Sequence, residues 1–234
     1  MRIKIGVENH RDGNSIAWAL DFPGCFASGR DGSEAILRVP ESLLRYKEWV
    51  DSHPGDSWLK DLTDFDIHLE ESVEVMSPKS NNQTRLPGEA SAWFQYDGVP
   101  LTAEEISRGR KILSWSREDL LELVAGLSST QMDFLSGDEP WSISRILGHI
   151  ADVEYESLSN LGLANLPRQA LQADVFERLL EVRQNLDEAL SSLAGVQKIT
   201  EVNGEFWSAR KMLRLTAQHE IDHIQQIFNL MARL

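Results

Sequence analysis

The sequence has one cysteine, Cys25, among 234 residues. That excludes an internal disulfide framework and points to a reducing compartment. No stretch approaches the roughly 20 apolar residues that span a bilayer. No basic start is followed by an apolar run, so no signal peptide is expected and the chain is placed in the cytoplasm. Positive charge is scarce: 23 Lys and Arg stand against 37 Asp and Glu, a net charge of −14. This balance argues against a nucleic-acid backbone or an anionic membrane as the main partner. Internal repeats, low-complexity tracts and any nucleotide, flavin or phosphate pattern are also missing. What remains is an ordinary globular composition, 41% apolar and 26% charged, with length for one large domain or two small ones.

The first 76 residues read as a small α+β domain. Arg2 to Glu8 alternate polar and apolar, as a half-buried strand does. A turn-rich bend, Asn9 to Gly13, joins them to a second strand at Ser15–Leu20. Asp21-Phe-Pro-Gly24 is a turn, and Cys25–Gly29 a third short strand. Ser33 is the expected N-cap of a helix whose apolar face is Ala35, Val39, Leu43, Tyr46 and Val50. Pro40 is expected to kink or shorten it. Asp66–Val75 closes the order β-β-β-α-β. His10, His53 and His68 in this part read as solvated residues.

Residues 77–100 read as linker and arm. Ser77–Ala90 is polar, holds two prolines and shows no period. Ala92-Trp-Phe-Gln-Tyr96 is too apolar for a linker and reads as an extended packing arm.

From residue 101 to 234 the pattern is helical. Thr102-x-x-Glu105 is a capping box that opens a helix of about 24 residues. Ser128–Pro140 reads as a loop. Ser142 caps a second helix with core face Ile143, Ile146, Leu147, Ile150 and Val153. Leu171–Leu193 is a third helix, Gly195–Trp207 a loop, and Ser208 caps the last helix. On that helix Leu213, Ala217, Ile221, Ile224, Phe228 and Met231 form an apolar stripe. Four amphipathic helices of this length predict a four-helix bundle.

His219 and His223 are four apart on the last helix, so both imidazoles stack on one face and can share a metal ion. His149 lies on a flank of the second helix. An isolated histidine on such a face is ordinarily a hydrogen-bonded core residue. A pair four apart with a third on another helix puts a metal site on an equal footing with that reading. His219-Glu-Ile-Asp-His223 also fits the His-Glu-x-x-His pattern of zinc proteases. Gln226 and Asn229 stand where the extended pattern needs Gly and His, and no downstream ligand follows, so the third ligand must come from upstream.

Two resemblances follow. The β-β-β-α-β order with the Leu20-Asp-Phe-Pro-Gly-Cys25 turn resembles the HicB antitoxin-like domain over roughly residues 1–75, although no basic helix follows. The helical part resembles the DinB/YfiT-like superfamily of metal-binding bundles. The matching residues are Trp141-Ser-Ile-Ser-Arg-Ile-Leu-Gly-His149, then Trp207-Ser208, then Leu215-x-x-x-His219-x-x-x-His223-x-x-Gln226. That resemblance implies an up-down-down-up bundle and a homodimer. It also implies a divalent metal on His149, His219 and His223 with open positions for water. The activities known in that family include metal-dependent hydrolysis and thiol transfer.

Three neutral imidazoles suit zinc or nickel. Glu154 and Glu220 are candidates to hydrogen-bond a ligating imidazole or to serve as a base. The bland alternative pairs them with Arg145, Arg210 or Arg214. Tyr155 and Trp207 are candidates to line a substrate pocket. Cys25, in the other domain, is not expected to be a nucleophile. The functional expectation is a hydrolase or thiol-dependent transferase acting on a small molecule. Its competitor is a non-catalytic metal-binding module whose HicB-like domain docks a partner.

Overall fold

The computed structural model describes residues 1–10, 14–55, 58–60, 62–75, 91–135, 137 and 140–234. The expected linker at 77–90 and part of the first bend, 11–13, lie outside the described residues. The chain forms two compact units, Met1–Gly98 and Val99–Leu234.

In the first unit β1 (Arg2–His10) pairs antiparallel with β2 (Ser15–Ala19) and β2 with β3 (Phe26–Gly29). Helix α1 (Gly32–Ser52) then crosses over, and β4 (Asp66–Val75) pairs parallel with β1. The sheet order is β3-β2-β1-β4. Period-two burial drives it, with Ile3, Ile5 and Val7 of β1 all buried. The N-cap of α1 is Asp31, whose side chain accepts from the Glu34 amide, and not Ser33. Pro40 does not shorten the helix, which runs on for 12 residues past it. Buried Val39, Leu43 and Tyr46 straddle the proline, and their burial outweighs the one ladder bond it lacks. The arm packs within this unit: the Phe94 ring approaches to 2.7 Å of where a Cβ on Gly6 would stand. Cys25 is buried, and burial pushes its thiol pKa upward, away from nucleophilic thiolate.

The second unit holds four long helices: α2 (Ala103–Val124), α4 (Ile143–Asn160), α5 (Val175–Ser191) and α6 (Ala209–Met231). In it α2 packs on α6, α6 on α4, α4 on α5, and α5 returns to α2. A core of Leu120, Ile146, Leu147, Ile150, Leu179 and Ile227 fills one end. Helices α2 and α6 approach closely because Gly109 has no side chain; a Cβ there would stand 2.5 Å from Leu213 Cδ2. The Thr102–Glu105 capping box and the Ser142 and Ser208 caps form as their sequence patterns predict.

Four expectations change. The 128–140 loop contains a one-turn helix, α3 (Ser129–Met132), with its own capping box from Ser128 and Gln131. The third long helix starts at Val175, capped by Asp174, and not at Leu171. The 195–207 loop holds a hairpin of β5 (Ile199–Val202) and β6 (Glu205–Ser208). Its turn residues Asn203 and Gly204 both have positive φ, 55° and 81°, the conformation of a two-residue hairpin turn. Finally, Phe228 is exposed, and the buried face of α6 runs through Leu213, Ala217, Glu220, Ile227 and Leu230. The helix is rotated so that its polar residues meet partners in the interior. Among the described residues, no helix is long and apolar enough to cross a membrane.

Candidate metal centre

The three histidines expected to act together do meet. Helix α4 carries His149, and α6 carries His219 and His223 one turn apart. His219 Nε2 lies 3.0 Å from His149 Nε2 and 3.1 Å from His223 Nε2. One potential ligand atom from each ring lies within 4.8 Å of the others. The rings meet edge to face, with centroids 4.4 to 5.2 Å apart.

Hydrogen bonding among the rings does not account for this convergence. His219 Nε2 faces two ring nitrogens, and a single proton serves only one of them. Gln226 Oε1 lies 2.7 Å from His223 Nδ1. A carbonyl oxygen only accepts, so Nδ1 carries a proton, and in the neutral His223 ring Nε2 presents its lone pair. Burial lowers the His149 pKa to about 4, helped by the charges of His223 and Arg145 and opposed by Asp152. Burial, then His223 and His149, holds His219 well below the usual value. These two imidazoles are therefore neutral at pH 7, as metal ligation requires. The three ring nitrogens, all within 4.8 Å of one another, are near enough together to hold one ion between them. The donor set fits a divalent ion of borderline softness.

Trp141 stands beside the imidazoles. Its ring meets His149 edge-on at 4.7 Å and lies nearly parallel to His223, 19° apart at 6.4 Å. Sequence reading placed Trp141 only as the opener of α4 and in the family pattern. Helical periodicity gives no signal for it, because it precedes the N-cap.

Glu154 and Glu220 are fully engaged elsewhere. Arg117 donates to Glu220 Oε1 at 2.5 Å and to Glu154 Oε2 at 2.9 Å. Arg183 donates to both Glu154 oxygens, at 2.8 and 2.9 Å, and to Glu220 Oε2 at 2.9 Å. The Ser116 hydroxyl also donates to Glu220. Their partners are thus Arg117 and Arg183, and not Arg145, Arg210 or Arg214. Each of the four long helices contributes one charge to this buried square. Burial raises the Glu220 pKa, but Arg183 and Arg117 outweigh it and hold the carboxyl below its ordinary value. The same pairing raises Arg183 against the effect of burial. Sequence periodicity could have flagged the arginines, since Arg117 lies between Leu113 and Leu120 and Arg183 between Leu179 and Leu186.

The two pocket candidates, Tyr155 and Trp207, are both buried. Tyr155 Oη donates to the Leu166 carbonyl at 3.0 Å. Trp207 is buried, with Lys211 Nζ 5.0 Å above its ring.

Residues 112–227 match the family model of the DinB superfamily. The matched span contains His149, His219, His223, Trp141, Gln226 and the whole charge square. The helical unit is DinB-like. No curated protein and no solved structure matches the chain.

Proposed function

We propose that the helical unit holds a divalent metal ion, zinc or nickel, on His149, His219 and His223, and acts on a small molecule as a metal-dependent hydrolase or thiol-dependent transferase. The observation that carries this reading is the convergence of three imidazole nitrogens on one point, with His219 Nε2 3.0 and 3.1 Å from the other two. The DinB superfamily match over the same residues supports it. When bound, such an ion supplies Lewis acidity, enough to lower the pKa of a water to about 7 or to hold a thiol as thiolate.

The chain's own residues divide the remaining work. Gln226 keeps His223 in the tautomer whose Nε2 is free. Trp141 shields the imidazole cluster from water on one side. Glu154 and Glu220 act as positioning residues: all four of their oxygens already accept hydrogen bonds, and their square ties the helices that carry the histidines.

The test is an assay of small esters, small amides and thiol transfer to a small electrophile, before and after chelation. Activity that vanishes on chelation and returns with one equivalent of zinc or nickel supports the reading. Fully loaded protein inert toward all three probe classes contradicts it, and favours the non-catalytic metal module.

We infer also that the bundle runs up-down-down-up and that the protein is a homodimer, which a monomer in equilibrium sedimentation would refute. For the first unit we infer a HicB-like interaction module. Its β-β-β-α-β order supports this, as does the Asp21–Cys25 turn, in which the Cys25 amide donates to the Phe22 carbonyl. Affinity capture by the full chain that recovers no stoichiometric partner would count against it.

A further inference from the structure

Arg145 lies on α4 one turn before His149. Residues four apart stack on one helical face, so the two side chains are neighbours. The Arg145 guanidinium carbon is 4.7 Å from the centroid of the Trp141 ring. The same indole contacts His149 and His223. One ring therefore links this cation to two of the three imidazoles, and its cation–π contact holds the flat guanidinium in place.

Arg145 is exposed, and among the described residues no carboxylate lies within ion-pair distance of it. Its neighbours in the unit behave otherwise. Arg108, Arg110, Arg117, Arg168, Arg183 and Arg210 each pair with a carboxylate. Acids are not in short supply, with 37 against 23 bases. Asp152, which lies within charge range of His149, is engaged by Arg168 and Arg178. Among the described residues, a cation without a carboxylate partner thus stands beside the imidazole cluster, in a chain whose net charge of −14 would otherwise repel an anion.

We propose that Arg145 anchors a carboxylate on the small molecule that the three-histidine site acts on, making its substrates small organic acids. The inference rests on the metal-site reading given above. A guanidinium fork receives a carboxylate through two parallel charge-assisted hydrogen bonds, which fixes orientation as well as affinity. Arg145 and His149 are one helical turn apart on α4, and the Trp141 ring centroid lies 4.7 Å from both the Arg145 guanidinium carbon and the His149 ring centroid. A small acid with its carboxylate on Arg145 would present its reacting group to the imidazole cluster.

The test measures binding of succinate, its neutral diamide and inorganic phosphate to the full chain by calorimetry. Wild type and Arg145→Gln are compared, each metal-loaded and after chelation, with bound metal counted in parallel. The expected result is a preference of about tenfold for succinate over the diamide in the wild type, about 1.4 kcal/mol, abolished in Arg145→Gln while metal content stays the same. If the chain takes up no metal but the two proteins still differ about tenfold toward succinate, the metal reading fails and the anchor stands. Equal succinate affinity in wild type and variant, loaded and chelated, overturns the proposal. So does a wild-type preference for phosphate over succinate.

Discussion

His223 Nδ1 donates a 2.7 Å hydrogen bond to Gln226 Oε1, three residues further along α6. That bond decides which nitrogen of His223 faces the cluster. Gln226→Leu removes the acceptor and frees the ring to rotate or change tautomer. The expected loss of zinc affinity is about 10- to 100-fold, the range for removing a partner of a metal-ligating imidazole. Competition against a chromogenic chelator measures it. Affinity unchanged within twofold would mean that packing, and not Gln226, orients the ring.

Arg183 sits between Glu154 and Glu220 and donates to both. Arg183→Met leaves two buried carboxylates sharing Arg117. Removing one partner of a buried ion pair costs about 3–5 kcal/mol. Urea unfolding followed by circular dichroism should show a loss of that size, and the metal site should weaken with it. A loss under about 1 kcal/mol would show that water enters and solvates the square.

Gly109 lets α2 approach α6. In Gly109→Ala the new methyl meets Leu213, which is fully buried and has little room to move. The gain in helix propensity, about 1 kcal/mol, opposes an overpacking cost of about 1–3 kcal/mol. Net destabilisation is expected in thermal melts. A stabilised variant would mean that the two helices part without cost.

Glu105 closes the α2 capping box and pairs with Arg210 at 2.6 Å. Burial raises its pKa, but the Arg210 and Thr102 hydrogen bonds outweigh this and bring it below the ordinary value. A depressed carboxyl contributes stability that is fully present above its unfolded pKa, about 4.3, and lost as the pH falls through the lower folded value. Glu105→Gln keeps the capping box but loses the charge that pairs with Arg210, and should therefore destabilise the unit at pH 7 by about 0.5 kcal/mol and by less near pH 3. A difference independent of pH between 7 and 3 would contradict the linkage.

The histidine cluster was legible in sequence because the four-residue spacing of His219 and His223 survives any error in helix boundaries. The caps at Thr102, Ser142 and Ser208 were legible because capping is local chemistry. The β5–β6 hairpin had a readable signal in Asn203-Gly204, hidden by short strands that bury little. The face of α6 was misjudged at Phe228 because apolar periodicity assumes that hydrophobic residues alone turn inward. In this helix Glu220 turns inward to two arginines and displaces the stripe. No local pattern announces that Arg117, Glu154, Arg183 and Glu220, on four different helices, satisfy one another, since the pairing exists only after the helices pack. The role of Trp141 is hidden for the same reason.

The central claim is that His149 joins α4 to α6 in one metal site. Elemental analysis of the purified full chain beside His149→Ala, each reconstituted with zinc and with nickel and then desalted, tests it most directly. One equivalent of metal in the wild type, and a small fraction of that in a His149→Ala protein with an unchanged circular-dichroism spectrum, is the predicted result. Stoichiometric metal retained by His149→Ala, or none held by the wild type, would contradict it.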